Sequence, residues 1–463
     1  MKNKTAIDMT HGPLLGKIFL FSLPLMASNV LQLLFNAADV VVVGRFAGHA
    51  SLAAVGSTMC IIYLFINLLV GISVGVNVVI ARFLGLTGHE REISLALHTA
   101  MLVALAGGAL LGALGALSAG WMLDLISVPG DVRPLALTYI RIYFVGTPFI
   151  MLYNYGAAAL RATGDTRRPL LFLLVSGVVN VILNLIFVIF LHMDVAGVAL
   201  ATILSQALSA GLILLCLARC RDEVQFSWKK LCLDRPSLLS MAYIGIPAGI
   251  QSCLFSLSNV VIQGAVNSYG SVVIAGCSAA ESIENFLYIS MNSFHQACQT
   301  FTSQNIGAGR YDRISRIVRI CLLCTVALGV VQSAAVVALS RPLVSIYNSD
   351  PAVIAAGAQR LWIVASAYVI FGIADVLVGA IRGYGIPIAP VVINLLGTCV
   401  FRLIWIAVLD VNSVGVEWVY LSYPVSWFII MAALSLFWFR LRRKEEPVPS
   451  ETMTAVPLPC ADQ

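Results

Sequence analysis

Apolar residues in this chain come in long runs separated by short polar breaks. They fall at 15–43, 52–81, 94–118, 133–160, 169–191 and 195–217. After a polar stretch they resume at 239–266, 272–301, 316–340, 354–381, 388–410 and 414–439. A bilayer core about 30 Å thick takes ~20 residues of helix, so each run predicts one crossing. The twelve together predict an all-α polytopic membrane protein. Runs longer than one crossing predict tilt or extension beyond the bilayer. Pro24, Pro148 and Pro247 lie inside runs as kink points. Gly71-xxx-Gly75, Gly108-xxx-Gly112 and Gly245-xxx-Gly249 predict close helix packing.

The pattern repeats. "FSLPLMASNVLQLLFN" (21–36) aligns with "IGIPAGIQSCLFSLSN" (244–259), pairing Pro24 with Pro247 and Asn36 with Asn259. "GLTGHER" (85–91) aligns with "GAGRYDR" (307–313), and "LRATGDTRRP" (160–169) with "IRGYGIPIAP" (381–390). The three offsets differ by no more than two residues, which marks a duplication. Six crossings per copy is an even number, so both copies run the same way. A pseudo-twofold along the membrane normal then relates two six-helix lobes, with a site expected between them. The expected organisation is an N-terminal lobe at 1–217, a cytoplasmic linker at 218–238, a C-terminal lobe at 239–440 and a disordered cytoplasmic tail at 441–463.

Composition supports lipid as the main solvent: 60% of residues are hydrophobic and 11% charged, against about 25% charged in soluble domains. The formal charge of +6 is a matter of topology. Of the 28 Lys and Arg residues, 22 fall in one set of loops with both termini, and five (Arg45, Arg133, Arg141, Arg341 and Arg360) in the other. The rich side reads as cytoplasmic, with both termini there, which excludes nucleic acid as the reason for the charge and predicts a multi-pass membrane protein. The eleven cysteines have no framework spacing, and Cys321-x-x-Cys324 reads as helix filler. The C-terminal Cys460 does not form a prenylation box, because Asp462 takes an aliphatic position. The first apolar run lacks a cleavage site and reads as a crossing.

Candidate chemistry comes from polar residues that break the repeat. Asp39 projects onto Ile262, Asn180 onto Phe401 and Asn184 onto Trp405. In reverse, Glu284 projects near Ile61, Asp375 onto Asn154 and Arg402 onto Val181. A duplicated fold does not require unduplicated groups, which points to function. In the first lobe Asp39, Asn180, Asn184 and Thr202 form a candidate cation-coupling site. Its oxygens suit Na⁺, while a half-buried carboxylate alone suits H⁺; polar contacts between helices are the structural alternative. In the second lobe Glu281, Glu284, Asp375 and Arg402 form a candidate substrate or cation site, or else a structural ion pair of Arg402 with Glu284. His295 reads as a satisfied polar residue. Gln32, Asn36, Asn154 and Asn259 are the further polar positions expected at a cavity. No HExxH, phosphate loop or nucleophile elbow is present. The expectation is therefore no enzyme, no cofactor and no metal beyond possible Na⁺ at Asp39.

These stretches also carry a resemblance. "FSLPLMASNVLQLLFNAADVVVVGRFAG", "ALRATGDTRRP" with its echo "AIRGYG", and "FTSQNIGAGR" resemble the multidrug and toxic compound extrusion (MATE) transporters over residues 12–440. "SAAESIENFLYISMNSFHQACQTFTSQNIGAG" resembles their prokaryotic DinF/MepA-like branch. The resemblance implies a V-shaped pair of lobes around a cavity that opens alternately to each side. It also implies a monomeric antiporter exporting amphipathic, mostly cationic organic compounds against H⁺ or Na⁺. It assigns the coupling ion to Asp39, with Asn180, Asn184 and Thr202 as partners. Asn184 stands where some relatives have a second acid. Phe255 and Ser256 occupy the region where the NorM-like branch has a seventh-helix acid. The alternative is a flippase for a lipid-linked precursor, or an exporter of one metabolite, within the same superfamily.

Overall fold

The computed structural model describes residues 7–86, 88–126, 128–220, 224–408 and 414–443. The tail from 444 on and linker residues 221–223 lie outside the described residues. In the first half, helix α1 spans Leu14–Val42, α2 Gly48–Gly85, α3 Glu90–Leu125, α4 Arg133–Val145, α5 Thr147–Ala162, α6 Arg167–Leu185 and α7 Asp194–Arg219. In the second, α8 spans Arg235–Asn267, α9 Ser271–Gly307, α10 Tyr311–Ala338, α11 Ser340–Ser345, α12 Pro351–Val364, α13 Tyr368–Gly383, α14 Ile388–Asn394, α15 Phe401–Val408 and α16 Val416–Arg443. Among the described residues there is no strand.

Among the described residues, ten helical segments are long and apolar enough to cross a bilayer, and α4 with α5, bent by 45°, makes an eleventh. One of the ten, Leu14–Gly85, runs 72 residues, far more than one crossing needs. It holds both α1 and α2, so counting them separately brings the total to the expected twelve. A π-helical turn at Val43–Ala47 joins them, and the path breaks at Gly48, with φ of 83°. Gly270 holds the matching place before α9, with φ of 92°. Gly164 and Gly385, paired by the sequence repeat, adopt φ of 89° and 90°. Only glycine takes this conformation without strain, so the duplication preserves turns as well as helices.

Contacts divide the chain into two compact units. One holds Leu23–Gly249 and the residues up to His11; the other holds Gly12–Ser22 and the described residues from Ile250 on. The changeovers fall inside α1, next to Pro24, and inside α8, two residues after Pro247, and both prolines are inside their helices. In the first unit, Gly71 and Gly75 of α2 mesh with Gly245 and Gly249 of α8. A Cβ on Gly249 would stand 2.8 Å from the Leu68 carbonyl oxygen, so these glycines let the two backbones touch. Gly108 of α3 likewise packs on Pro148 at the α4–α5 bend, 2.6 Å from where its Cβ would lie. Linker residues Ser227 and Asp234 are pinned to α3: Ser227 N–H donates to His98 Nε2 at 3.0 Å and Asp234 N–H to Thr99 Oγ1 at 2.9 Å. In the second unit, Phe19 and Phe21 at the start of α1 pack edge-on against Phe294 and Phe301 of α9.

Candidate functional site

The first unit builds a polar group where α1 meets α6. Gly177 of α6 lies against the Phe35 ring of α1, and its missing Cβ lets the helices close up. Asn184 thereby reaches Asp39: its Nδ2 donates to Asp39 Oδ1, and also to Asn180 Oδ1 at 3.3 Å. Asn180 and Asn184 are buried and Asp39 half-buried. Both partners of Nδ2 are acceptors, so hydrogen-bond chemistry fixes the orientation of the amide. Its Oδ1 is buried with no hydrogen-bond partner among the described residues. An orphaned carbonyl oxygen beside a carboxylate is a donor set for a hard cation or a proton. The Thr202 hydroxyl donates to the Val198 carbonyl of its own helix at 2.9 Å. The sequence reading missed Tyr139 and Tyr143 of α4, which lie within electrostatic range of Asp39, their rings 6.4 Å apart.

In the second unit the expected pairing of Glu284 with Arg402 is corrected. Gly276 of α9 and Gly357 of α12 let those helices approach closely, a Cβ on Gly276 falling 2.6 Å from the Gly357 nitrogen. Arg360, one turn beyond Gly357, therefore overlies the acids of α9. Its Nε and Nη2 hold the two Glu284 carboxylate oxygens at 3.0 Å each, and its Nη1 holds Glu281 Oε1 at 3.1 Å. The charge count places Arg360 on the Lys- and Arg-poor side; the structure buries it inside α12 instead, within the apolar run 354–381. Its guanidinium packs over the rings of Tyr420 and Tyr423, 5.6 and 5.4 Å from their centroids. Asp375 belongs to a separate group: His295 Nδ1 lies 3.0 Å from its Oδ1 and 2.7 Å from its backbone oxygen, and Asn292 Nδ2 reaches Oδ2 at 3.5 Å. Arg402 is buried and forms no ion pair with the three acids, donating from Nε to Ser426 Oγ at 3.0 Å and stacking 4.2 Å above the Tyr423 ring.

Of the other cavity candidates, Gln32 and Asn36 are exposed. Asn154 bonds back to the Ile150 carbonyl of its own helix at 2.8 Å. Asn259 is half-buried, and its Oδ1 has no partner among the described residues. No cluster of three or more His, Cys, Asp or Glu suited to a metal ion occurs among the described residues.

Against this geometry stand the similarities to known proteins. The sequence profile of the MatE family matches residues 24–186 and 247–408, one match in each half. The chain is 29% identical over 401 residues to "Probable multidrug resistance protein YpnP" of Bacillus subtilis, covering 86% of this chain and 88% of that protein. It is 27% identical over 453 residues to the "FAD transporter" of Shewanella oneidensis, covering 96% and 98%. Its fold matches, with a TM-score of 0.87, the outward-facing conformation of a multidrug resistance MATE family transporter of the MOP superfamily. That match has 19% identity and covers 96% of this chain and 99% of the other.

Proposed function

We propose, from the premise that this chain belongs to the MatE family, that it is an ion-coupled exporter of amphipathic organic compounds. Membership makes it a membrane transporter, not an enzyme, and one that needs no cofactor. The YpnP relative supports multidrug efflux as the task. The observation that carries ion coupling is the orphaned Asn184 Oδ1 beside the Asp39 carboxylate. H⁺ or Na⁺ binding there supplies the charge the carboxylate lacks; Asn180 holds the Asn184 amide in place, and Thr202 is a further partner if its hydroxyl turns away from Val198 O. In the cycle, ion loading at Asp39 shifts α1 near Pro24 and favours substrate release outward. Substrate loading from inside favours ion release there, since exchange requires each to disfavour the other's bound state. The two lobes open alternately, and both termini face the cytoplasm of the plasma membrane, as the Lys and Arg distribution supports.

The test is dye efflux from proteoliposomes under an imposed ΔpH or ΔNa⁺. Gradient-driven export of cationic dyes is expected from the native chain. Asp39→Asn keeps the shape but removes the exchangeable charge, so driven export is expected to vanish while the protein stays folded. Undiminished driven export by that variant sinks the coupling mechanism. The second reading, a transporter of a single compound as the Shewanella oneidensis relative is named, is not the one the relatives favour. Transport of one nucleotide-type compound and of no dye in the same assay would select it.

A further inference from the structure

A cavity of about 620 Å³ opens between the first turns of α3 and the linker after α7, within the first unit. Arg91 of α3 and Lys229 and Lys230 of the linker line it, and Glu90 is the acid among its lining residues. The buried ring of His98 also lines it. That ring is neutral, because Nε2 accepts the Ser227 N–H at 3.0 Å while Nδ1 donates to the Ser94 carbonyl at 2.6 Å. Three cations against one carboxylate leave the walls with a net charge of +2. An anion is what such a cavity attracts.

Topology alone accounts for cations on this side of the chain. It does not account for a linker tied down on both sides of Lys229 and Lys230. Before them, Ser227 is bonded to His98, and Phe226 stacks on the His98 ring with 5.5 Å between centroids. After them, Thr99 Oγ1 accepts the Asp234 N–H at 2.9 Å and donates to the Cys232 carbonyl at 3.3 Å. The two lysines are thereby kept at one cavity with Arg91, where like charges repel unless an anion offsets them. Helix α3 runs 36 residues, well beyond the ~20 of one crossing, and its first residues, Glu90 and Arg91, are exposed. The cavity thus lies at the polar end of a crossing, level with lipid headgroups. Beside the lysines, Trp228 is 61% exposed and Leu233 60%. An exposed indole next to lysines suits the membrane–water interface, and basic pockets there take anionic headgroups.

We propose that Arg91, Lys229 and Lys230 bind the phosphate of an anionic phospholipid headgroup, with Trp228 and Leu233 at the boundary of its acyl chains. The site is distinct from the group around Asp39 and does not depend on the export reading. Its occupant bridges α3 and the linker, so the lipid fastens the segment that joins the two halves of the chain. Phosphate is the shared chemistry of a lipid headgroup and a soluble phosphate ester, and the flanking indole and leucine favour the lipid.

The experiment is native mass spectrometry of the purified full-length chain in a neutral detergent, titrated with phosphatidylglycerol or with phosphatidylcholine of the same acyl chains. The native chain is expected to hold a first phosphatidylglycerol about tenfold or more tighter than phosphatidylcholine. Replacing both linker lysines (Lys229→Gln with Lys230→Gln) is expected to bring the two lipids within about twofold of each other. Arg91→Gln, on the opposite wall, is expected to weaken phosphatidylglycerol about fivefold. Arg316→Gln with Arg319→Gln removes the same charge from exposed positions on α10 and is expected to leave the preference within about twofold. All the replaced side chains are exposed, so the variants fold. Equal affinity of the native chain for the two lipids overturns the inference. So does an equal loss in the α10 pair, which would make the attraction a diffuse property of the charged face. An unchanged affinity in Arg91→Gln overturns the cavity as the site. Glycerol 3-phosphate separates the soluble source: displacement of the lipid at equal concentration makes the ligand a soluble phosphate ester, and the lipid assignment falls.

Discussion

Asp39 and Glu284 are both carboxylates inside apolar helices, held in different ways. Glu284 is buried and gripped by two nitrogens, Nε and Nη2, along one edge of the Arg360 guanidinium; Asp39 has, among the described residues, only an amide hydrogen from Asn184. Removing one partner of a buried pair leaves the other charge uncompensated, at a cost of about 3–5 kcal/mol. Glu284→Gln is therefore expected to lower the unfolding temperature in detergent sharply. Glu281 also touches Arg360, but its side chain is 45% exposed, and such a contact is worth about 1 kcal/mol or less. Glu281→Gln should change the unfolding temperature only slightly. Equal shifts for the two variants would contradict the division of labour drawn from the geometry.

At the scale of elements, the apolar runs located the crossings because period and length are local properties of the sequence. The α1–α2 junction was less legible: the gap at 44–51 predicted a loop, and the chain instead continues through a π-helical turn to Gly48. Partner choice was less legible still. The approach of α9 to α12 at Gly276 and Gly357 decides which arginine meets Glu284, and helix spacing cannot be read along a single chain. The glycine pairs were readable as motifs, though their partners were not. Gly71 meets Gly249 so closely that a Cβ has no room, whereas Gly211 in α7 has nothing within 4 Å of its Cβ position. Gly71→Ala is expected to destabilise by about 1–3 kcal/mol through overpacking. Gly211→Ala is expected to stabilise by up to about 1 kcal/mol through helix propensity. Thermal unfolding of the two variants beside the native chain checks both signs.

At the scale of the whole molecule, one fold occurs twice while the carboxylates inside its crossings, Asp39, Glu284 and Asp375, occur once. Ile262, the counterpart of Asp39, is 1% exposed within the apolar cluster of Ile283, Leu287 and Tyr423. The counterparts of Asn180 and Asn184 are Phe401 and Trp405, which offer no amide to a carboxylate. The Trp405 indole instead donates to the Trp418 carbonyl at 2.9 Å. The repeat thus supplies its own substitution experiment. Asp39→Ile installs the residue the other copy already uses and leaves the Asn184 amide its second acceptor, Asn180 Oδ1, so the change costs only about 1 kcal/mol. Ile262→Asp buries a carboxylate with no partner, which costs about 3 kcal/mol or more in a membrane interior. Asp39→Ile is therefore expected to keep native thermal stability and lose gradient-driven efflux. Ile262→Asp is expected to lose stability without gaining a second coupling site. If instead Asp39→Ile unfolds as readily as Ile262→Asp, the carboxylate is part of the scaffold. The asymmetry between the copies would then no longer distinguish the groups that transport from those that fold.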